Sequence, residues 1–263
     1  MRALVTGAAG FIGSNLVDRL LADGHQVVGV DNLSTGTVAN LQHAFRYNVL
    51  LPGRFTFLRN DIQAPDLTGI VAGSNPDVIF HLAAQVNHQT SVDDPQFDAR
   101  SNVLGTINLC EAARRGGVRR IVYAACGASR YGATTGGLVD ETTRVNPLSP
   151  GAVAKLAGEM YLRAYAEMYG LAPICLALSN VYGPRQNPYG AAGVITALGS
   201  AIITGEPFTV NWGGTSAYDF VYVDDVVDAF VRAGSASIAT TGTYNIGTGQ
   251  HTPIAEVHGL ISA

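Results

Sequence analysis

The sequence predicts an α/β fold: a doubly wound parallel sheet with helices on both faces. Three observations point there. Short apolar runs rich in Val, Ile, Leu and Phe recur along the chain, each the length of a strand buried on both faces. Longer stretches of helical period separate them, and strand-helix alternation of this kind favours a parallel sheet. The first run leads directly into VTGAAGFIGSNL, a glycine-punctuated turn that opens a helix.

Taken in order, RALVTG, QVVGVDN, RFTFLRN, DVIFHLA, RRIVYAA and PICLALS read as the strands. The helices are SNLVDRLLADG, the turn around LTGIVAGS, one long helix over DPQFDARSNVLGTINLCEAARRGG, and AVAKLAGEMYLRAYAEMYG. Gly24, Gly116 and Gly170 are expected to close three of them, because glycine tolerates the left-handed conformation at a helix end. After Asn180 the pattern loosens into a Gly- and Pro-containing region from Tyr182 to Tyr218. The short helix DDVVDAFVRAG and the strand TYNIG follow, and the sequence stops at Ala263 a few residues into a helix-like stretch. Residues 181–222 read as an insertion belonging to a second, smaller region.

At 263 residues the chain can bury a full core. It is 47% hydrophobic and 14% charged, with a net charge of -4, which leaves no electrostatic footprint for nucleic acid. Arg114, Arg115, Arg119 and Arg120 cluster where a helix ends, a place that favours cations for structural reasons. Cys110, Cys126 and Cys175 show neither a CxxC pair nor a disulfide rhythm, so a reducing, cytoplasmic setting is expected and a zinc site is not. No segment approaches the roughly 20 apolar residues that span a bilayer. His81 and His88 lack neighbouring ligands, so no metal is assigned to either.

Gly7, Gly10 and Gly13 follow the first strand and open the first helix, where a backbone without side chains can approach a pyrophosphate held at the helix amino terminus. Asp31 ends the second strand, 18 residues beyond Gly13. A carboxylate there accepts hydrogen bonds from the adenosine ribose and repels a 2′-phosphate, so the expected cofactor is NAD rather than NADP.

The GxxGxxG spacing, Asp31-Asn32, Asp61-Ile62, HLAA at 81–84, NVLGT at 102–106, Lys155 and NVYGPRQ at 180–186 together resemble the extended short-chain dehydrogenases. Within them the chain is most similar to the NAD-dependent epimerase/dehydratase group typified by UDP-glucose 4-epimerase, over nearly its whole length. The resemblance implies a Rossmann NAD-binding domain at 1–180 with 223–249 and a partial substrate-binding region at 181–222 with 250–263. It places Gly7, Gly10, Phe11, Ile12, Gly13, Asp31 and Asn32 along the cofactor, Asp61 and Ile62 at the adenine, and Leu82, Ala83 and Ala84 along the groove. Lys155 would hydrogen-bond the nicotinamide ribose. It is the only lysine, against fifteen arginines, and a planar guanidinium cannot replace a compact ammonium at two ribose hydroxyls. Asn180, Gly193, Val194 and Ile195 resemble the group's sugar-nucleotide contacts.

The substrate end departs from the pattern. In this group a Tyr four residues before the Lys exchanges a proton with the sugar hydroxyl; in SPGAVAK that position is Gly151. Gly127 stands at the place of the second catalytic hydroxyl, and Ala128 and Ser129 at that of the dehydratase Asp-Glu pair. Gly213 and Tyr218 replace an Asp and the diphosphate-binding Arg. Cys126 and Ser129, together with Tyr123, Tyr131 and Tyr182, are the neighbourhood candidates for the vacated role. Three readings follow: an NAD-dependent UDP-hexose 4-epimerase-like enzyme, a catalytically degenerate NAD-binding protein, or an oxidoreductase redirected to a less anionic substrate. Helices at 94–116 and 151–169 resemble those through which relatives form homodimers; no membrane or nucleic-acid partner is expected.

Overall fold

The computed structural model describes residues 1–132, 137–188, 193–207 and 216–262; of Ala128 and Ser129 it describes the backbone alone. Eleven strands lie within those residues: β1 (Arg2–Thr6), β2 (Gln26–Asp31), β3 (Phe55–Arg59), β4 (Val78–His81), β5 (Arg120–Cys126), β6 (Ala172–Leu178), β7 (Asn180–Tyr182), β8 (Ala217–Tyr218), β9 (Phe220–Tyr222), β10 (Gly242–Ile246) and β11 (Thr252–Pro253). Seven of them form one sheet in the order β10-β6-β5-β4-β1-β2-β3, every pair parallel. From β1 the order runs one way through β2 and β3 and the other way through β4 to β10. The crevice for a ligand therefore opens at the carboxyl ends of β1 and β4, where the direction reverses.

The helices are α1 (Phe11–Ala22), α2 (Gln42–Leu50), α3 (Leu67–Ser74), α4 (His88–Asp93), α5 (Pro95–Ala99), α6 (Gly105–Gly116), α7 (Gly127–Tyr131), α8 (Pro150–Tyr169), α9 (Val194–Thr204), α10 (Val223–Ser235) and α11 (Ile254–Ser262). Successive strand residues face opposite layers, as a period of two requires. Val5, Phe80 and Val122 pack with Leu16 and Leu20 of α1 and Val226 and Phe230 of α10. Leu4, Ile79 and Ile121 pack with Val71 of α3, Leu109 of α6 and Leu162 of α8. Two small sheets lie beyond the main one: β7 beside β9, parallel, and β8 beside β11, antiparallel.

Three differences from the sequence expectations have local causes. Gly116 is the last helical residue of α6, and the left-handed position passes to Gly117, at φ 72°. Gly24 and Gly170 do take left-handed conformations, at φ 80° and 71°. The long helix over 94–116 is divided: α5 and α6 are joined by a wider π-helical turn, Arg100–Leu104, which rotates the side chains on either side of it. Finally, α2, α4 and α9 fall where the sequence carries no clear apolar period. Arg120, given a structural role with the arginines around the end of α6, begins β5 and is 3% exposed; its guanidinium donates to the carbonyls of Ala172 and Thr240, both at 2.8 Å, and to those of Ala236 and Ser237.

Candidate active site

The glycine turn is built by contact rather than by flexibility alone. Gly7 has φ 71°, and a Cβ there would stand 2.7 Å from the Ala83 nitrogen and 2.8 Å from the Leu82 carbonyl carbon. A Cβ at Gly13 would stand 2.9 Å from the Gly7 carbonyl carbon and closer still to its oxygen. Only at these residues can α1 begin flush against the end of β1. Gly10 caps α1 with no side-chain acceptor, while Ser14 N donates to Gly10 O at 3.0 Å. The amides of Phe11, Ile12 and Gly13 therefore start the helix without an intrahelical acceptor, in the arrangement that suits an anion.

Asp31 closes β2 at 8% exposure. Its Oδ2 accepts from Ala9 N at 2.9 Å and its Oδ1 from Leu33 N at 2.7 Å, so both oxygens are fixed and each keeps a lone pair for a further donor. Asn32 Nδ2 donates to Asp61 Oδ2 at 2.8 Å, and Gln63 N donates to Asp61 Oδ1 at 2.8 Å. Ile62 is buried against Gly105, where a Cβ would stand 2.6 Å from its Cδ1. Leu82 N donates to Thr6 O at 3.1 Å and Ala83 N to Thr6 Oγ1 at 3.2 Å, which ties the HLAA segment with half-buried Ala84 to the end of β1. The residues expected along the cofactor thus lie at the carboxyl ends of β1, β2, β3 and β4.

Lys155 enters from the other side. Ser149 caps α8 by accepting from Ala152 N at 3.3 Å, and Pro150 occupies the first turn, where a missing N–H costs nothing. One turn on, Lys155 Nζ donates to Ala124 O at 3.1 Å and lies 4.9 Å from the Tyr123 ring centroid. Burial lowers its pKa to about 8, with Cys126, Glu159 and Asp98 opposing that shift.

Beside Gly151 the structure assembles polar groups that sequence reasoning missed. A Cβ at 151 would stand 3.3 Å from Ser91 Oγ and 3.8 Å from Asp98 Oδ1. Asp98 is 1% exposed; its Oδ1 accepts from Gln85 Nε2 at 2.8 Å and Asn102 Nδ2 at 3.1 Å, while its Oδ2 is enclosed without a hydrogen-bond partner. Gln85 and Asn102 also exchange bonds between the Gln85 backbone and the Asn102 amide, at 2.8 and 2.9 Å. The available signal was periodic: Asp98, Asn102 and Thr106 recur every four residues on the side that a core-facing helix keeps apolar, and all three are buried.

The candidates for the vacated role are placed differently. Tyr123 is buried and its hydroxyl donates to Lys155 O at 3.3 Å; burial pushes the phenol well above its ordinary pKa. The Tyr131 hydroxyl donates to Asn245 Oδ1 at 2.7 Å, and Tyr182 packs on Tyr222 with centroids 5.5 Å apart. Cys126 ends β5, half-buried and in register with Leu178. Gly127 is pressed against Leu178 O, 3.1 Å from where a Cβ would stand. The side chain of Ser129 and all of Gly213 lie outside the described residues. Tyr218 is exposed on β8, with its ring 5.9 Å from that of Phe220. Asn180 N donates to Asp219 O at 3.0 Å, and Gly193, Val194 and Ile195 begin α9, half-buried. His81 is locked between the Thr6 and Thr106 hydroxyls, and burial lowers its pKa to about 3, so it is a neutral core residue. Among the described residues no helix is long and apolar enough to cross a membrane.

Comparison with known proteins follows the same line as the geometry. The model of the NAD dependent epimerase/dehydratase family matches residues 3–247. A UDP-glucose 4-epimerase of Mycolicibacterium smegmatis is 50% identical over 262 residues, which is 100% of this chain and 82% of that protein. The crystal structure of a UDP-glucose 4-epimerase from Thermotoga maritima with UDP-glucose aligns at a TM-score of 0.92 and 37% identity, covering 100% of this chain and 82% of the other. That of a UDP-glucose 4-epimerase from Thermus thermophilus in complex with NAD aligns at 0.90 and 37%, with the same coverage. Matched end to end in sequence and superposed end to end in fold, the chain belongs to the NAD-dependent epimerase/dehydratase family.

Proposed function

We propose that the crevice binds NAD and that the protein acts on a UDP-hexose as a 4-epimerase. The observation that carries this reading is the convergence of the Gly7–Gly13 turn, the fixed Asp31 carboxylate and the Lys155 ammonium on one edge of the sheet. These groups fit the cofactor: free amides of α1 for its pyrophosphate, Asp31 for the adenosine ribose, and Asp61 with Ile62 at the adenine. Lys155 would serve the nicotinamide ribose. When bound, NAD supplies a reversible hydride acceptor at the nicotinamide ring. Asn180, Gly193, Val194 and Ile195 are proposed to face the sugar nucleotide, within a substrate region formed by 181–222 with 250–263. The exposed apolar residues Phe97, Leu104, Val153 and Met160 support pairing of two copies along α5–α6 and α8, for which sedimentation at micromolar concentration is the test.

Gly151 in place of a phenol and Tyr218 in place of a cation favour a second reading, an NAD-binding protein without hexose turnover. Incubating the purified protein with UDP-glucose or UDP-galactose in the presence of NAD separates the two. Interconversion above background supports the first; NAD binding with no interconversion supports the second.

A further inference from the structure

We propose that Asp98 is the proton acceptor that serves this site in place of a side chain at 151, acting through water seated where that side chain would stand. The inference rests on the epimerase reading. It starts from geometry. Gly151 is half-buried in the first turn of α8, one turn before Lys155, and it has no side chain. Its missing Cβ would meet Ser91, with Cβ and Oγ both at 3.3 Å, and Asp98 Oδ1 at 3.8 Å, so two polar atoms border the space. An internal water needs two to four polar partners, and this corner offers a hydroxyl and a carboxylate.

Asp98 is equipped for the task. Gln85 and Asn102 donate to one of its oxygens and fix the carboxylate, leaving the other, Oδ2, buried and unpaired. Enclosing a carboxylate oxygen is costly unless it is hydrogen-bonded, and a catalytic role is one reason a fold retains one without a partner. The π-helical turn Arg100–Leu104 adjoins Asp98 and contains Asn102, and such turns re-aim side chains at functional positions. Burial raises the Asp98 carboxyl pKa, while hydrogen bonds from Gln85 and Asn102 and the field of the Lys155 ammonium pull it down, an environment suited to a base that gives its proton back. Ser91 is less suited to accept a proton itself, since its hydroxyl donates to His88 O at 2.7 Å. With NAD bound as the hydride acceptor, oxidation of the sugar carbon to a carbonyl would also require the hydroxyl O–H bond to break and its proton to be taken up by the protein. That proton would pass through the water to the Asp98 carboxylate, whose Oδ1 faces the space beside Gly151. Returning hydride and proton to the turned sugar restores both groups.

The test is a double-mutant cycle of D98N and G151Y, read by UDP-hexose interconversion, NAD affinity and thermal unfolding. The amide of D98N still accepts from Gln85 and Asn102 but cannot take a proton. In the parent, D98N is expected to lower turnover about 100-fold or more, with NAD affinity and melting temperature little changed. In the G151Y background, where a phenol is supplied, the same substitution should cost several-fold at most. An infrared pH titration of the ligand-free protein should also show a carboxyl band titrating above the ordinary aspartate range (about 3.9) that D98N lacks. Equal losses in both backgrounds would mean that Asp98 merely holds the fold together, and no loss would mean that it is idle; either overturns the proposal. Turnover by G151Y but not by the parent would overturn it while leaving the family reaction intact. Absence of NAD binding and turnover from every variant would instead bring down the functional reading, and Asp98 with it.

Discussion

Replacing Gly13 by alanine tests the cofactor cradle through a single methyl group. The new Cβ would stand 2.9 Å from the Gly7 carbonyl carbon and 3.2 Å from Ala8 Cα. Carbon atoms rest at about 3.5 Å or more, so the first pair must part by about 0.6 Å, and the Gly7 oxygen by more. Both partners are backbone, and neither can rotate away. The amino terminus of α1 must lift from the β1 turn, which withdraws the amides of Phe11, Ile12 and Gly13 from any pyrophosphate. Losing one hydrogen bond to a charged group costs about 1.5–3 kcal/mol, or roughly 10- to 150-fold in Kd. Overpacking of this kind also costs about 1–3 kcal/mol of stability. Calorimetric titration with NAD, beside a thermal melt, reads both. An NAD affinity within threefold of the parent in a folded G13A protein would refute the assignment of this turn to the cofactor.

Asp31→Ala removes the acceptor of Ala9 N and Leu33 N as well as the charge at the end of β2; NAD affinity should fall about tenfold or more, and the preference for NAD over NADP should shrink, as competitive titration would show. Because burial lowers the Lys155 pKa to about 8, its ammonium is present below that pH and lost above it. NAD affinity should therefore decline as pH rises through about 8, and K155M should bind more weakly without that decline. Gly158→Ala would bring a Cβ within 2.6 Å of the Tyr123 hydroxyl and 3.1 Å of its Cζ; a melt should show about 1–3 kcal/mol lost, with displacement of the ring beneath Lys155.

The sheet was legible because its strands are buried on both faces and declare themselves as continuous apolar runs. The cofactor edge was legible for another reason: a turn that admits no side chain leaves glycines at fixed intervals, and Asp31 follows at the next strand end. Neither signal exists for α2, whose Gln42–Leu50 segment buries only Ala44, or for the π-helical turn, where the sequence looks like uninterrupted helix. The polar group around Gly151 was missed because Ser91, Gln85, Asp98 and Asn102 come from separate elements, and only tertiary packing brings Ser91 and Asp98 beside α8. Gly151 itself could be read as a missing side chain; what lines the space around it could not.

The buried guanidinium of Arg120 has a consequence for how the chain is made. Two of its acceptors, Ala236 and Ser237, follow α10, and Thr240 comes just before the edge strand β10. During synthesis β5 emerges more than a hundred residues ahead of those carbonyls, so while the first six strands assemble its guanidinium has only the Ala172 carbonyl of β6 among its four acceptors. Nascent chains stalled short of Thr240 should therefore stay open at the β6 edge and depend on chaperones, whereas release beyond β10 lets the sheet seal around that cation in one late step.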